Sequence, residues 1–228
     1  IISDILKKPT IGLPLPWEFL NEGMYGLQPN NIYVLAGSAQ VGKTEFLKEI
    51  IFHLIYNVGV PVGMYSLEQG AASTVQRMVG SMMNKRIHIP SNEWWNEDEI
   101  KAKAMELENK LFLYMNSSNE SLSLDSLLIN IRFMYYCYNT QVIVLDNLTA
   151  MCHNPVIDGK YVGKYVYISH VMNKLFTLSR ELPISLIIVS HLGNDKVSKK
   201  IHIPTSKVNK QSYLTITDAE MDLMINKP

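Results

Sequence analysis

Cysteine is scarce in this 228-residue chain: Cys137 and Cys152 are the only two. They stand in no C-x-x-C and no metal-ligand spacing, which argues for buried thiols of a reducing cytosol over a disulfide or a metal site. An excess of one charge is lacking as well. Lys and Arg total 21 and Asp and Glu total 21, so the basic balance of most whole-domain nucleic-acid binders is absent. No apolar run reaches the roughly 18–20 residues needed to cross a membrane, and no signal-peptide pattern opens the chain. Internal repeats and low-complexity tracts are missing too, which removes solenoid and compositionally disordered classes. What is there, 47% hydrophobic and 18% charged residues, suits one globular α/β domain with a sizeable core. Opening at Ile1 rather than Met, the chain reads as a fragment or excised domain.

Residues 1–30 gather Pro9, Pro14, Pro16 and Pro29 with Gly12, Gly23 and Gly26, and read as an irregular linker segment. From residue 31 onward, strand and helix patterns alternate. Ile32–Ala36, Pro61–Ser66, Leu111–Tyr114, Gln141–Leu145 and Ile184–Ser190 are short apolar runs of strand length. Between them, helical spacing runs through Phe46, Leu47, Ile50, Ile51, Leu54 and Ile55, with Gly59 suited to the position past the helix end. Further helices are expected over Ala71–Met83, over Glu97–Glu108 with Asn96 as its cap, around Leu124–Tyr138 and over Tyr165–Arg180. Such alternation predicts a central, mostly parallel sheet with helices on both faces. Tyr135, Tyr136 and Tyr138 could form a platform for stacking bases, but their helical spacing reads as core.

One stretch carries explicit chemistry. Gly37-Ser38-Ala39-Gln40-Val41-Gly42-Lys43-Thr44 matches G-x-x-x-x-G-K-[ST] at every fixed position, between a strand and a helix. In that motif backbone N–H groups wrap the phosphates of a nucleotide, the Lys ammonium reaches the terminal phosphates, and the hydroxyl holds Mg²⁺. Val142-Ile143-Val144-Leu145-Asp146 adds an aspartate at a strand's carboxyl end, where open parallel sheets bind ligands. Asp146 would there join Thr44 in holding Mg²⁺; the alternative is an ordinary Asp turn. Ser66-Leu67-Glu68 ends the second strand in a carboxylate that either orients the attacking water or caps the next helix. His191, at the end of the last strand, either senses the terminal phosphate or is a plain strand-end histidine.

The order of these blocks resembles the RecA-like helicase domain of ring-shaped replicative DNA helicases, of the phage helicase-primase and mitochondrial Twinkle type, with bacterial DnaB as a relative. The similar text is Val62–Glu68, Val142–Asn147 and Leu186–Leu192, together with the P-loop. The resemblance implies a RecA-like P-loop NTPase that uses ATP or another NTP with Mg²⁺. It assigns phosphate binding to Lys43, Mg²⁺ to Thr44 and Asp146, the catalytic base to Glu68, and coupling of the γ-phosphate to the DNA loop to His191. It also implies that the full-length protein is a homo-oligomeric ring, a hexamer, that moves on single-stranded DNA. The setting would be cytoplasmic, in the host cell for a phage-encoded chain. After the histidine the family carries a DNA-tracking loop. Residues 193–212 hold Lys196, Lys199, Lys200, Lys207 and Lys210 against the single acid Asp195, the local charge such a loop needs, although a solvated lysine loop has the same composition.

Two features depart from the family. No glycine-rich, arginine-containing stretch lies between Thr205 and Met221, and the arginine finger expected beyond the candidate strand Asp222–Ile225 is not found before Pro228. Arg77, Arg86, Arg132 and Arg180 fall in or near expected helices without motif support as substitutes. Residues 31–228 are therefore read as a RecA-like core without an N-terminal domain or the finger region. Other RecA-like ATPases, such as recombinases and KaiC-like regulators, and a non-motor nucleotide-binding module are the rival readings.

Overall fold

Five short apolar strands organise the molecule, and the central ones are buried on both faces. In the computed structural model, which describes residues 10–38, 40–67, 70–89, 96–114, 123–148, 151 and 155–191, β1 is Asn31–Gly37, β2 Val62–Ser66, β3 Leu111–Tyr114 and β4 Val142–Asp146. A short antiparallel hairpin, β5 (Val156–Ile157) and β6 (Lys160–Tyr161), precedes β7 (Ser185–His191). The main sheet has the order β1-β7-β4-β2-β3, and every pair in it is parallel. A parallel sheet needs crossovers, which cover its faces with helices and exclude water from both sides.

The helices divide between the faces as the strand residues alternate. On one face Val62, Met64, Val142, Val144, Ile187 and Val189 pack with α1 (Glu18–Met24), α2 (Lys43–Phe52) and α3 (Ala71–Met82). Helix α4 (Glu97–Met105) joins that side through Ile100 and Ala104. On the other face Tyr65, Ile143, Leu145, Leu186 and Ile188 pack with α5 (Leu124–Tyr138) and α6 (Lys164–Glu181). The expected α/β architecture with helices on both faces is thus present. Gly63 lets α5 approach β2 closely: a Cβ there would sit 2.7 Å from the Met134 sulfur, which would have to shift.

Local signals act where they were expected. Asn96 Oδ1 accepts from the backbone N–H groups of Asp98 and Glu99 and so caps α4. Helix α2 continues into a π-helical stretch, His53–Val58, that ends on Gly59 at φ 79°. Three expectations are corrected. The linker segment 1–30, read as irregular, contains α1 within its described part, and Leu15, Leu20 and Leu27 are buried in the first core cluster. Trp17 stacks on Phe46 at 4.5 Å, which ties this segment to the phosphate-loop helix. Tyr136 and Tyr138, read as core, are 71% and 41% exposed, because α5 turns only Leu127, Ile131 and Met134 fully inward. Tyr138 rests on Phe112 at the sheet edge, ring centroids 4.0 Å apart, while Tyr135 is half-buried. Cys137 lies on the same outer side and is exposed, not buried; Cys152 lies outside the described residues.

Candidate functional site

Strand order converts distant sequence blocks into neighbours. In the register of β1 with β7, Gly37 stands opposite His191; in that of β2 with β4, Ser66 stands opposite Asp146. All four residues are at the carboxyl ends of their strands, the edge at which open parallel sheets hold ligands. The backbone N–H of Leu67 donates to the Asp146 carbonyl at 2.6 Å, so the β2 and β4 ends stay joined beyond the ladder.

Between β1 and α2 runs the loop that matches the phosphate-binding motif. Gln40 and Gly42 take positive φ, 68° and 89°. At Gly42, the residue that starts α2, a Cβ would be strained. No side chain caps that helix N-terminus, so its first N–H groups and the positive end of the helix dipole face the loop, an arrangement that attracts anions. Lys43 is only 4% exposed. Its ammonium donates to the Gly37 carbonyl at 2.9 Å and to the Ser38 carbonyl.

A cavity of about 230 Å³ opens at this edge. Gln40, Gly42, Lys43 and Thr44 line one side of it, and Asp146 and His191 stand at the strand ends. Glu45, Ser66 and Val189 complete the wall, three residues to which sequence reasoning assigns no role. Ser66 is legible as the strand-end partner of Asp146 once the strands are aligned; Glu45 and Val189 carry no separate signal. Gly37 and Ser38 act through their carbonyls on Lys43, and Val41 packs on the core. Ala39, Glu68, Lys196, Lys199 and Lys200 lie outside the described residues.

The donor set fits a nucleotide with Mg²⁺. Thr44 offers a hydroxyl and Asp146 a carboxylate, hard oxygen ligands on one cavity. Among the described residues no cluster of three or more His, Cys, Asp or Glu side chains could hold a metal by itself. Mg²⁺ usually keeps several waters and is bound by one or two protein oxygen ligands together with substrate phosphates, a requirement that Thr44 and Asp146 can meet. No described helix is long and apolar enough to cross a membrane.

A parallel sheet wrapped on both faces, with a phosphate loop leading from β1 into its helix, is the RecA-like form of the P-loop nucleotide-binding fold. Within that class the assignment is specific. The profile of the DnaB-like helicase C terminal domain matches residues 12–227, and the chain belongs to that family. It is 22% identical over 221 residues to the replicative DNA helicase DnaB of Buchnera aphidicola, covering 96% of this chain and 47% of the relative. It is 23% identical over 190 residues to the DNA helicase/primase of Enterobacteria phage T3, covering 79% of this chain and 32% of that one. The chain thus spans less than half the length of these two relatives. Among solved structures, that of a DnaB-like replicative helicase, described with its interactions with primase, superposes with a TM-score of 0.67 at 19% identity, over 89% of this chain and 51% of that one.

Proposed function

We propose that this chain is the NTP-hydrolysing motor core of a ring-type replicative helicase that moves on single-stranded DNA. The supporting observation is the convergence of Lys43, Thr44, Asp146 and His191, from three strand ends, on one cavity beside an uncapped helix N-terminus. Family membership supports the same reading.

Each side chain has a distinct task in it. Lys43 binds the terminal phosphates, drawing on a charge already desolvated and held by two carbonyls. The phosphate-loop N–H groups fix the nucleotide's position. Thr44 and Asp146 would hold Mg²⁺, which neutralises charge on the phosphate oxygens when bound. Glu68, two residues past the end of β2, is assigned to orient and deprotonate the attacking water. His191, opposite Gly37 in the ladder, is assigned to report loss of the terminal phosphate to the segment that follows it. Lys196, Lys199 and Lys200 in that segment are assigned to the DNA backbone, and the working form is a homo-oligomeric ring, a hexamer. Steady-state NTP hydrolysis by the full-length protein, with and without single-stranded DNA, tests the reading. Stimulation by DNA is expected; tight nucleotide binding with turnover indifferent to DNA would refute the motor.

A further inference from the structure

Behind the nucleotide cavity lies a second, much smaller one, of about 10 Å³, room for a single water molecule. Thr44, Ser66 and Asp146 line both cavities and so form the wall between them. The back of the small cavity is closed by α2 and α3, which meet through Leu47 and Ile51 on one helix and Met78 on the other. Two polar residues of α3, Thr74 and Arg77, face into it a turn apart. Thr74 is buried, and its hydroxyl lies 3.1 Å from Ser66 Oγ. This links α3 to the end of β2.

Arg77 is the unusual member. Its Nε–H is fully buried and has no hydrogen-bond partner among the described residues. The other cation of this cavity, Lys48, is satisfied: its ammonium pairs with Glu45 at 2.5 Å and donates to Ser81 Oγ at 2.9 Å. A buried guanidinium N–H left unpaired costs as much as a lost hydrogen bond to a charged group, so such a group in a folded protein calls for a reason. Here it lines the same small cavity as Asp146, next to space for one water with Thr44, Ser66, Thr74 and Asp146 as further polar partners.

We propose that Arg77 is a positioning residue for the metal-holding pair: through one water in the small cavity, its Nε–H holds the Asp146 carboxylate in the orientation that faces Thr44. This rests on the assignment of Thr44 and Asp146 to Mg²⁺. Arg77 thus serves its own subunit's site, whatever residue reaches that site from a neighbour.

The test measures metal binding rather than turnover. In the full-length protein, Mn²⁺ affinity is read by electron paramagnetic resonance in the presence of a non-hydrolysable ATP analogue, for Arg77→Met, Asp146→Asn and the double variant. Partners that orient a metal's protein ligands are typically worth about 10- to 100-fold in affinity, and a loss near the lower end, about 10-fold, is expected for Arg77→Met. The double variant should lose no more than Asp146→Asn alone, because both changes remove the same interaction. Parental Mn²⁺ affinity in Arg77→Met, or losses that simply add, would overturn the role of Arg77 while leaving the nucleotide site standing. Parental affinity in Asp146→Asn would instead overturn the metal assignment itself. If Arg77→Met fails to fold, Arg77→Lys supplies the answer. It keeps the charge and the stem but carries no N–H at the Nε position, so it should fold and share the metal defect; parental affinity there refutes the proposal.

Discussion

Replacing Lys43 by Ala separates ligand binding from folding more cleanly than any other change at this site. Lys43 is 4% exposed, and its ammonium donates to two loop carbonyls, those of Gly37 and Ser38. Lys43 itself lines a cavity of about 230 Å³, so water can enter the space that its side chain leaves. The buried charge that disappears was itself costly to desolvate, which offsets the lost bonds. Net destabilisation should therefore stay within about 1 kcal/mol, a shift of about 2–4 °C in Tm for a domain of this size. Nucleotide binding has no such compensation. A unit charge about 4 Å from a phosphate, at an effective dielectric of about 20, contributes about 4 kcal/mol. Each 1.4 kcal/mol is about tenfold in affinity, so Kd should rise by nearly three powers of ten. Titration of a fluorescent nucleotide in the presence of Mg²⁺, alongside thermal melts without ligand, measures both quantities. An affinity loss below about tenfold would show that the loop N–H groups and the helix terminus carry binding without the lysine. A large Tm loss would show instead that Lys43 holds the loop together.

Glu68→Gln should leave nucleotide affinity unchanged while hydrolysis collapses, the pattern of a group that acts only in the transition state; parallel binding and turnover assays decide it, and normal turnover would make Glu68 structural. Replacing Lys196, Lys199 and Lys200 by Ala should weaken single-stranded DNA binding regardless of sequence and reduce the slope of log affinity against log salt by about 2, at about 0.7 per phosphate contact. An unchanged slope would leave these lysines as a solvated loop. Burial, with the nearby Tyr114 adding to it, pushes the Tyr65 hydroxyl well above the ordinary tyrosine range, and burial raises Tyr33 as well. Up to a pH of about 10 both folded and unfolded chains keep these protons; above it the unfolded chain ionises first, so stability should fall as pH rises, and Tyr65→Phe should flatten that fall in urea titrations.

Strands and helices are legible because their burial is simple. A strand covered on both faces must be apolar at every position, and β1, β2, β4 and β7 stand out for that reason against helices with a 3.6-residue period. Errors arise where burial is one-sided or borrowed. The run Tyr135–Tyr138 contains three aromatics and a cysteine; helical spacing reads the aromatics as core, and residue type reads the cysteine as buried. A helix packed on a sheet has room for one stripe, which Leu127, Ile131 and Met134 already fill, so Tyr136 and Cys137 turn outward. The proline- and glycine-rich segment near the start reads as irregular because its helix is only seven residues long. It is held by tertiary contacts, Trp17 on Phe46 and Leu20 in the core, that no local pattern announces.

Site residues divide along a related line. Gly42, Lys43 and Thr44 are readable because backbone geometry and chemistry coincide in one short loop, which fixes their spacing. Asp146 and His191 are readable only given a parallel sheet, since strand order is what brings them to that loop. Ser66, Thr74 and Arg77 need a further step. Their roles depend on how α3 lies against α2, a matter of side-chain packing between two helices that carry no shared motif. In the sequence, Arg77 is one of four arginines with no motif behind it, weighed only as a donor to a neighbouring subunit. Its buried Nε–H, in a small cavity shared with Thr44 and Asp146, suits the positioning role proposed above, which spacing along the chain cannot express. Information about a site therefore fades with the number of folding steps between residue and ligand. Residues at the back of a motif, rather than those in it, are where a structure adds most.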